Sequence, residues 1–421
     1  MDDEHVDLDA ITGTVLADLL SRSHLLPPDN VARAVSEAAK PLGVTSARIY
    51  LADVQQRRLV EMPLGTESLG IDSTIGGDAY RKVRTNQGRA DDVSGGHRLW
   101  IPLVDGTERL GVFELTVADA SLGMLARYES LASLVSLLIA SKSIYSDTYA
   151  RIRRHRDMAL QAELVWAFLA PRTFATERVL VSATLEPAYE VGGDAFDYSL
   201  LGDTLHLSVF DAVGHNLTAG LLASVAMASC RSTRRSEGSL TDIVQRADHA
   251  IGRQFGKGRF VTAMLCDLNV ATGDFSWISC GHPPPLLIRG NRVVKELDIR
   301  PELPLGLSGL ASLPRPPRYR PPPSDAGGPV HTERLEPGDR LLLYTDGVIE
   351  GRAADGSRFG ADRLAEFIIR HGPATMPAPE ALRRLTRAVI DFQHGRLADD
   401  ATIVLVEWIP ERLTADNHAQ G

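Results

Sequence analysis

The spacing of apolar and polar positions divides the chain into a first part with three strand patterns between helical patterns and a second part in which strand and helix patterns alternate. In the first part, apolar residues recur every three or four positions in the helical segments and every second position in the clearest strand. The elements predicted for this part are helices over 6–22, 29–42 and 124–143 and strands over 47–51, 98–103 and 110–116.

Between the two parts, residues 141–170 have the pattern of one polar helix. It carries a basic run at 151–156, which is typical of a solvated helix face. Its apolar residues Leu160, Leu164, Val165 and Phe168 recur at intervals of three and four, as in a helix that packs on another helix. We therefore expect this segment to connect two domains.

The second part has more strands, and they come in groups separated by pairs of helices. This grouping fits two sheets covered by helices on both sides. The predicted strands are 179–187, 198–200, 205–210, 260–269, 275–280, 285–288, 341–345 and 401–408, and the predicted helices are 216–234, 239–255, 361–371 and 378–394.

Composition restricts the class of protein. The chain has 421 residues, which predicts two or three domains, and its hydrophobic content of 44% favours packed cores over disorder. The three cysteines form no CxxC pair, which favours a reducing compartment and argues against a zinc site. A net charge of −9 makes nucleic acid an improbable partner.

The sequence also predicts neither a targeting signal nor a membrane-spanning segment. The first residues are acidic and lack an apolar core, so no signal peptide is expected. The longest apolar stretch, near 131–140, is interrupted by serines, and no membrane span is expected. The sequence therefore predicts a cytoplasmic protein without membrane or nucleic-acid partners.

Four carboxylates lie where apolar strands meet turns: Asp194 follows two glycines, Asp211 and Asp346 end strands, and Asp399 precedes one. A single aspartate at such a strand-to-turn position most often caps the helix that follows. If all four converge, each pair at about 4 Å would repel by about 4 kcal/mol at an effective dielectric near 20. Such a cluster needs cations, and oxygen ligands without Cys or His select Mg²⁺ or Mn²⁺.

Across residues 179–408 the chain resembles the PPM-type metal-dependent protein phosphatases, in the branch that includes SpoIIE and RsbU. Any one of the shared motifs is weak, but their ordered set is highly specific. The motifs are Gly-Gly-Asp at 192–194, Asp-Ala-Val-Gly-His at 211–215, Phe-Val-Thr-Ala at 260–263, Gly-His-Pro-Pro-Pro-Leu-Leu at 281–287, Pro-Leu-Gly-Leu at 304–307, Leu-Glu-Pro-Gly-Asp at 335–339, Leu-Tyr-Thr-Asp-Gly-Val-Ile-Glu at 343–350 and Asp-Asp-Ala-Thr at 399–402.

This resemblance implies an α+β protein with a four-layer α-β-β-α phosphatase domain. It also implies catalysis by a water that bridges two Mn²⁺ or Mg²⁺ ions, which needs no nucleophile from the chain. By motif position Asp211 would bridge the ions, the Ala212 carbonyl would complete one shell, and Asp346 and Asp399 would bind the second ion. Asp194 would hold metal-bound waters, directly or through a neighbour. Asp400 remains an alternative to Asp399.

The order of elements over 25–143 resembles a GAF domain, without a sharp motif. This predicts a sensor for a small ligand or partner, or equally a fold that only dimerises, so we expect a homodimer. The predicted domains are an N-terminal helix (1–24), the GAF-like domain (25–143), a helical linker (144–172), the phosphatase domain (173–410) and a disordered tail (411–421). We expect the linker to couple sensor and phosphatase.

Three details depart from this simple picture. Asn216 and the pair Ser279-Cys280 replace the residues that the branch commonly has at these positions. His215 and His282 could serve as general acid or phosphate contacts, but a structural role is expected for both. The segment 308–329 is rich in proline and arginine, and is either a basic loop or a polyproline ligand.

The leading functional hypothesis is a phosphoserine/phosphothreonine phosphatase whose substrate, by resemblance, is a phosphorylated anti-sigma-factor antagonist. Two alternatives stay open. The same metal pair could hydrolyse small phosphorylated metabolites, or the chain could be a dimeric signalling adaptor that binds metal without turnover.

Overall fold

The protein is described by a computed structural model. The residues that it describes are 8–63, 67–89, 96–256, 258–290, 292–297, 301–308, 330–370, 376–395 and 397–409. The proline-rich segment from 309 to 329 and the tail 411–421 lie outside these residues, as do residues 1–7. The chain divides into a first unit, 1–157, and a second unit, 158–421.

The first unit contains one sheet and five α-helices among its described residues. Its strands pair antiparallel in the order β3-β2-β1-β6-β5-β4. The elements, in chain order, are α1 Leu8–Ser23, α2 Val31–Ala39, β1 Val44–Ala52, β2 Arg58–Met62, β3 Ser68–Gly70, α3 Ile75–Lys82, β4 Asn86–Arg89, β5 His97–Asp105, β6 Glu108–Val117, α4 Leu122–Ser143 and α5 Asp147–Arg153, with 3₁₀ turns at Pro28–Asn30 and Lys40–Leu42.

Helices cover both faces of this sheet. Buried side chains of α1, α2 and α4, such as Leu19, Val35 and Leu131, form one apolar cluster with the inner residues of β1, β5 and β6. On the other face Tyr80 of α3 packs in a smaller cluster with Trp100 of β5. The predicted N-terminal helix therefore belongs to the core of this unit.

Helix α4 bears on the expectation that no segment spans a membrane. By length and composition it could cross one, since it has 22 residues and contains an apolar window of 18 residues. However, 44% of that window is buried inside the unit, where Leu131, Val135 and Leu138 contribute to the apolar cluster. A single helix of this kind is weak support for a membrane span, because core helices have the same composition.

The single helix predicted over 141–170 is wrong. Instead, α5 ends at Arg153, and the backbone of Arg154 is extended. The Arg153 carbonyl accepts a hydrogen bond from Val54 N, and the Arg153 guanidinium donates to the Ala52 carbonyl. These bonds hold the end of α5 against β1, so the helix stops there, and a new helix starts at Leu160.

The second unit contains two sheets, which we call sheet II and sheet III. Sheet II has the order β15-β12-β11-β10-β9, and sheet III has the order β14-β13-β16-β17-β8-β7. The elements, in chain order, are α6 Leu160–Phe168, β7 Thr173–Ala175, β8 Val179–Glu186, β9 Asp194–Leu201, β10 Thr204–Ala212, α7 Leu217–Arg235, α8 Leu240–Phe255, β11 Val261–Asn269, β12 Asp274–Cys280, β13 Leu286–Arg289, β14 Arg292–Glu296, β15 His331–Arg334, β16 Arg340–Tyr344, α9 Asp346–Ile349, α10 Gly360–Arg370, α11 Ala378–Phe392 and β17 Ala401–Trp408.

Alternating burial along the strands arranges this unit in four layers. In β16 and β17, Leu343 and Val404 face a core shared with sheet II, whereas Leu342 and Ile403 face α10 and α11. Helices α7 and α8 pack on sheet II from its other side. The described part of the unit is thus an α+β fold with two sheets between helices, as the patterns predict. Strand β9 begins four residues earlier than predicted, which places Asp194 inside the sheet.

Candidate active site

The hairpin of β9 and β10 brings Asp194 and Asp211 together. The strands are antiparallel, and these two residues are direct partners in the register. Directly paired residues project to the same face of a sheet. Both carboxylates therefore point toward sheet III, because the Asp194 side chain is bonded to a residue of that sheet's edge, Thr345.

The corresponding corner of sheet III supplies Asp346 and the pair Asp399-Asp400. Strand β16 ends just before Asp346 and β17 starts just after Asp400, and the two strands pair antiparallel. These chain ends consequently meet at one edge. The approach is close: a Cβ on Gly347 would lie 1.9 Å from the Asp400 carbonyl oxygen. Only glycine fits at this position.

Buried hydrogen bonds join the two corners. The Thr345 hydroxyl donates to Asp194 Oδ2 at 2.7 Å and accepts from Thr402 N at 2.9 Å. Asp400 Oδ2 accepts from the N–H groups of Gly192 at 2.8 Å, Gly193 at 2.7 Å and Asp194 at 3.4 Å. The Gly-Gly-Asp turn is therefore fastened to the start of β17.

These bonds distinguish Asp399 from Asp400. Asp400 is buried and one of its oxygens is occupied by backbone donors. Asp399 is exposed, and its Oδ1 accepts a hydrogen bond from the Asp400 N–H at 2.9 Å. Of the two, Asp399 is the side chain that remains accessible from the cleft beside Asp346.

The carboxylates interact strongly with one another. Burial raises the pKa of Asp211 to about 7, with further contributions from the charges of Asp346, Asp399 and Asp400. Burial also raises the pKa of Asp194 well above its usual range, and the charges of Asp211 and Asp400 add to the shift. These mutual effects show that carboxylates from four separate segments lie within electrostatic range of each other.

Asp346 has a raised pKa for the same physical reasons as Asp194 and Asp211. Its pKa is raised by burial first and then by the charges of Asp399 and Glu350. In contrast, Asp197, the other carboxylate of the Asp194–Asp197 segment, is not part of this group. It forms ion pairs with Arg231 at 2.7 Å and Arg234 at 2.9 Å on α7, so it lies on the opposite face of sheet II.

Gly193 lies directly against the Ala212 carbonyl. A Cβ at this position would be 2.4 Å from the Ala212 oxygen, and the Gly193 carbonyl accepts a hydrogen bond from Ala212 N at 3.1 Å. The two glycines of the motif thus allow the 192–194 turn to approach β10. Any side chain at 193 would displace the carbonyl that was predicted to bind metal.

The donor set fits a hard divalent cation in its chemistry, since it consists of carboxylate and carbonyl oxygens. Mutual repulsion among these carboxylates is the effect that a bound cation would relieve. In the arrangement described, however, no three His, Cys, Asp or Glu side chains lie close enough together to enclose one ion, over the residues that the structure describes.

The two histidines differ in their surroundings. His282 is buried, and its Nδ1 is 3.0 Å from the hydroxyl of Thr262, which pairs with Asp211 in the register of β10 and β11. Burial lowers the pKa of His282 to about 3. A group with this pKa is neutral at pH 7, and the contact with Thr262 places His282 beside the paired strands β10 and β11. His215 is exposed at the turn before α7.

The unusual residues of the sequence have local structural roles. The Asn216 side chain caps α7 by accepting from Thr218 N at 3.0 Å and Ala219 N at 3.3 Å. Ser279 donates to the His282 carbonyl at 3.0 Å. Neither substitution disturbs a carboxylate of the site.

A cleft of about 440 Å³ opens beside Asp346 and Asp399. Glu350, Arg352 and Gln393 also line it. Sequence reasoning missed the last two. Arg352 follows the Thr-Asp-Gly-Val-Ile-Glu motif by two positions, which is the one available signal, and nothing in the sequence around Gln393 indicates its place.

Part of the second unit is similar in sequence to known proteins. Residues 202–409 match the family model of stage II sporulation protein E, SpoIIE. Phosphoserine phosphatase RsbU of Bacillus subtilis is 20% identical over 284 residues, which cover 66% of this chain and 79% of that protein. Protein IcfG of Synechocystis sp. is 23% identical over 255 residues, which cover 54% of this chain and 37% of IcfG.

Among solved structures, the RsbU and RsbW domains of Rv1364c from Mycobacterium tuberculosis match with 25% identity and a TM-score of 0.44. The match covers 55% of this chain and 62% of that one. Residues 202–409 therefore match the SpoIIE family of phosphatases, and the chain is similar to phosphoserine phosphatase RsbU over 66% of its length.

Proposed function

We propose that the chain hydrolyses phosphoserine or phosphothreonine on a regulatory protein with the help of two divalent cations, Mn²⁺ or Mg²⁺. The observation that carries this proposal is the convergence of Asp194, Asp211, Asp346 and Asp399, which come from four segments. Burial raises the pKa values of Asp194, Asp211 and Asp346, and the negative charge of Asp399 adds to the shifts of Asp211 and Asp346. Such repulsion is tolerable in a folded protein when cations offset it.

The roles that we propose for these residues are those that the family resemblance implies at their motif positions. Asp211 and the Ala212 carbonyl would hold one ion, and Asp211, Asp346 and Asp399 would hold the other. Asp194, whose orientation is held by the Thr345 hydroxyl, would position water. When bound, the two ions supply the Lewis acidity that activates water and offsets charge on the phosphoryl oxygens.

The substrate that we propose is a phosphorylated anti-sigma-factor antagonist, supplied by a separate protein. The support is the match of residues 202–409 to the SpoIIE family model and the similarity to phosphoserine phosphatase RsbU. Small phosphorylated metabolites are the competing substrates, since the same carboxylates would serve both.

The test is phosphate release by the purified full-length chain with and without Mn²⁺, from phosphoserine proteins, from phosphometabolites and from an aryl phosphate. We expect metal-dependent release from phosphoproteins, and its loss in Asp211→Asn. The matched control is Asp203→Asn, which removes an exposed carboxylate from the turn of the same hairpin. Release from metabolites alone would favour the competing substrates, and an inert wild type would favour the adaptor.

We also propose that the first unit, as a GAF-like sensor, controls the phosphatase through α6. In the second unit, the Trp166 indole N–H donates to the Ala188 carbonyl at 2.7 Å, and the Tyr189 carbonyl accepts from Ala159 N at 2.9 Å. Gln161 also lies against Gly220 of α7. Helix α6 thus contacts the segment that leads into Gly192 and the helix that follows Asp211.

Leu164→Pro tests this coupling, because proline breaks the helix without touching a proposed metal ligand. We expect basal hydrolysis of an aryl phosphate to stay unchanged. A change in the first unit, such as Trp100→Phe, should alter turnover in the wild-type background and have no effect together with Leu164→Pro. Equal effects in both backgrounds would contradict control through α6.

A further inference from the structure

Part of the lining of the cleft beside the carboxylates is formed by Gln393 and the backbone that packs on it. Gln393 is buried there, and its Oε1 accepts from Ala398 N at 3.1 Å. A Cβ on Gly351 would be 2.0 Å from Gln393 Nε2, so the backbone at 351 rests directly on this amide. The volume of about 440 Å³ is within the range of ligand sites, roughly 300–1,000 Å³.

One wall of the cleft is a small hairpin that presents Arg352. Residues Arg352 and Arg358 form an isolated antiparallel bridge, and Ala353 N donates to the Ser357 carbonyl at 2.9 Å. The backbone is fixed further by the bond from Ala354 N to His394 Nε2 at 3.0 Å. Arg352 Nη1 donates to the Gly356 carbonyl at 3.1 Å, which holds the guanidinium in place.

Charge makes Arg352 distinctive in this cleft. Among the described residues, the other ionisable side chains that line it are the carboxylates of Asp346, Glu350 and Asp399. The described residues give Arg352 no ion pair with any of them, whereas Arg358 lies 3.5 Å from Glu350. Arg352 is thus an exposed cation that lines the same cleft as these carboxylates.

We propose that this cleft receives the polypeptide of the phosphoprotein next to its phosphorylated residue, and that Arg352 selects substrates with a carboxylate side chain near that residue. This inference rests on the proposed function, since it places the phosphoryl group at the carboxylate corner. The guanidinium fork suits a carboxylate through two parallel hydrogen bonds. Because Arg352 belongs to the hairpin that lines the cleft and is not one of the converging carboxylate segments, we assign it to the polypeptide that flanks the phosphorylated residue.

The test uses the full-length protein with Mn²⁺ and three substrates: a phosphoserine peptide with glutamates flanking the phosphoserine, the same peptide with alanines in their place, and an aryl phosphate. We expect Arg352→Ala to lower kcat/KM for the acidic peptide by about three- to tenfold, through KM, as for a partly desolvated ion pair. The alanine peptide and the aryl phosphate should be unaffected. Arg370→Ala, which removes an exposed arginine that is ion-paired with Glu366 on α10, outside the cleft, should change none of the three.

Charge reversal gives a second readout. In Arg352→Glu, a peptide with lysines in place of the glutamates should become the better substrate. An equal loss on the aryl phosphate would overturn the inference, because Arg352 would then bind the phosphoryl group itself. It is equally overturned if Arg352→Ala has no effect, or if wild type hydrolyses the aryl phosphate but neither peptide. A wild type that is inert with all three substrates would instead remove the proposed function.

Discussion

The Thr345 hydroxyl donates a 2.7 Å hydrogen bond to Oδ2 of Asp194, a residue 151 positions earlier in the chain. Both groups are buried, and the same hydroxyl accepts from Thr402 N. One side chain therefore connects β9, the end of β16 and the start of β17. It fixes the orientation of a carboxylate that repulsion from Asp211 and Asp400 would otherwise displace.

Thr345→Val should remove this connection while keeping the shape of the side chain. We expect a loss of about 1–3 kcal/mol in the free energy of unfolding, because a buried carboxylate loses a donor. Metal-dependent turnover should fall as well. Thr345→Ser keeps the hydroxyl and should retain most activity. Urea denaturation and aryl phosphate hydrolysis measure the two effects, and equal behaviour of the two variants would contradict this role.

Substitutions at Asp399 and Asp400 should have different effects: the change at Asp400 should lower stability, and the change at Asp399 should abolish activity. Asp400→Ala leaves the N–H groups of Gly192 and Gly193 without their charged acceptor, and hydrogen bonds to charged groups contribute about 1.5–3 kcal/mol each. We expect a large drop in melting temperature. Asp399→Ala should leave the melting temperature near that of wild type and abolish Mn²⁺-dependent turnover. Thermal scans and phosphate release compare them, and the reverse pattern would exchange their assignments.

Removal of the metal should lower the melting temperature, and the size of this effect should depend on Asp211. In wild type treated with a chelator, we expect Mn²⁺ to raise the melting temperature, since a ligand that binds only the folded state stabilises it. Asp211→Asn removes one of the repelling charges. The metal-free variant should therefore melt higher than metal-free wild type, and Mn²⁺ should shift it less. An identical Mn²⁺ shift in both proteins would exclude Asp211 as a ligand.

Gly347→Ala should be severely destabilising, because its Cβ would lie 1.9 Å from the Asp400 carbonyl oxygen. The chain would have to separate α9 from the start of β17, and we expect loss of activity and of soluble protein. Gly13→Ala is the matched control. Its position on α1 has no atom within 4 Å of the new Cβ, so we expect a gain of about 0.5–1 kcal/mol from helix propensity. Expression yield and thermal scans distinguish the two.

The local patterns of the sequence were sufficient for much of the second unit. Strands such as β10, β11 and β17 have apolar runs of the right length, and the helices α7 and α8 begin at Asn216 and Ser239, whose side chains cap them. These features depend on neighbours within a few positions. Short or polar strands at the sheet edges, such as β7, β14 and β15, have no such pattern and were missed.

By itself the sequence determined which side chains could form the site, because strand periodicity and Asp-Gly corners are local properties. Only the tertiary structure decided that Asp400, and not Asp399, accepts the backbone hydrogen bonds of the 192–194 turn, since these donors lie more than 200 positions away in the chain. It also decided where the connecting helix breaks and that Arg352 shares a cleft with Asp346 and Asp399. Each of these outcomes depends on sheet register and packing between distant segments, which no local pattern encodes.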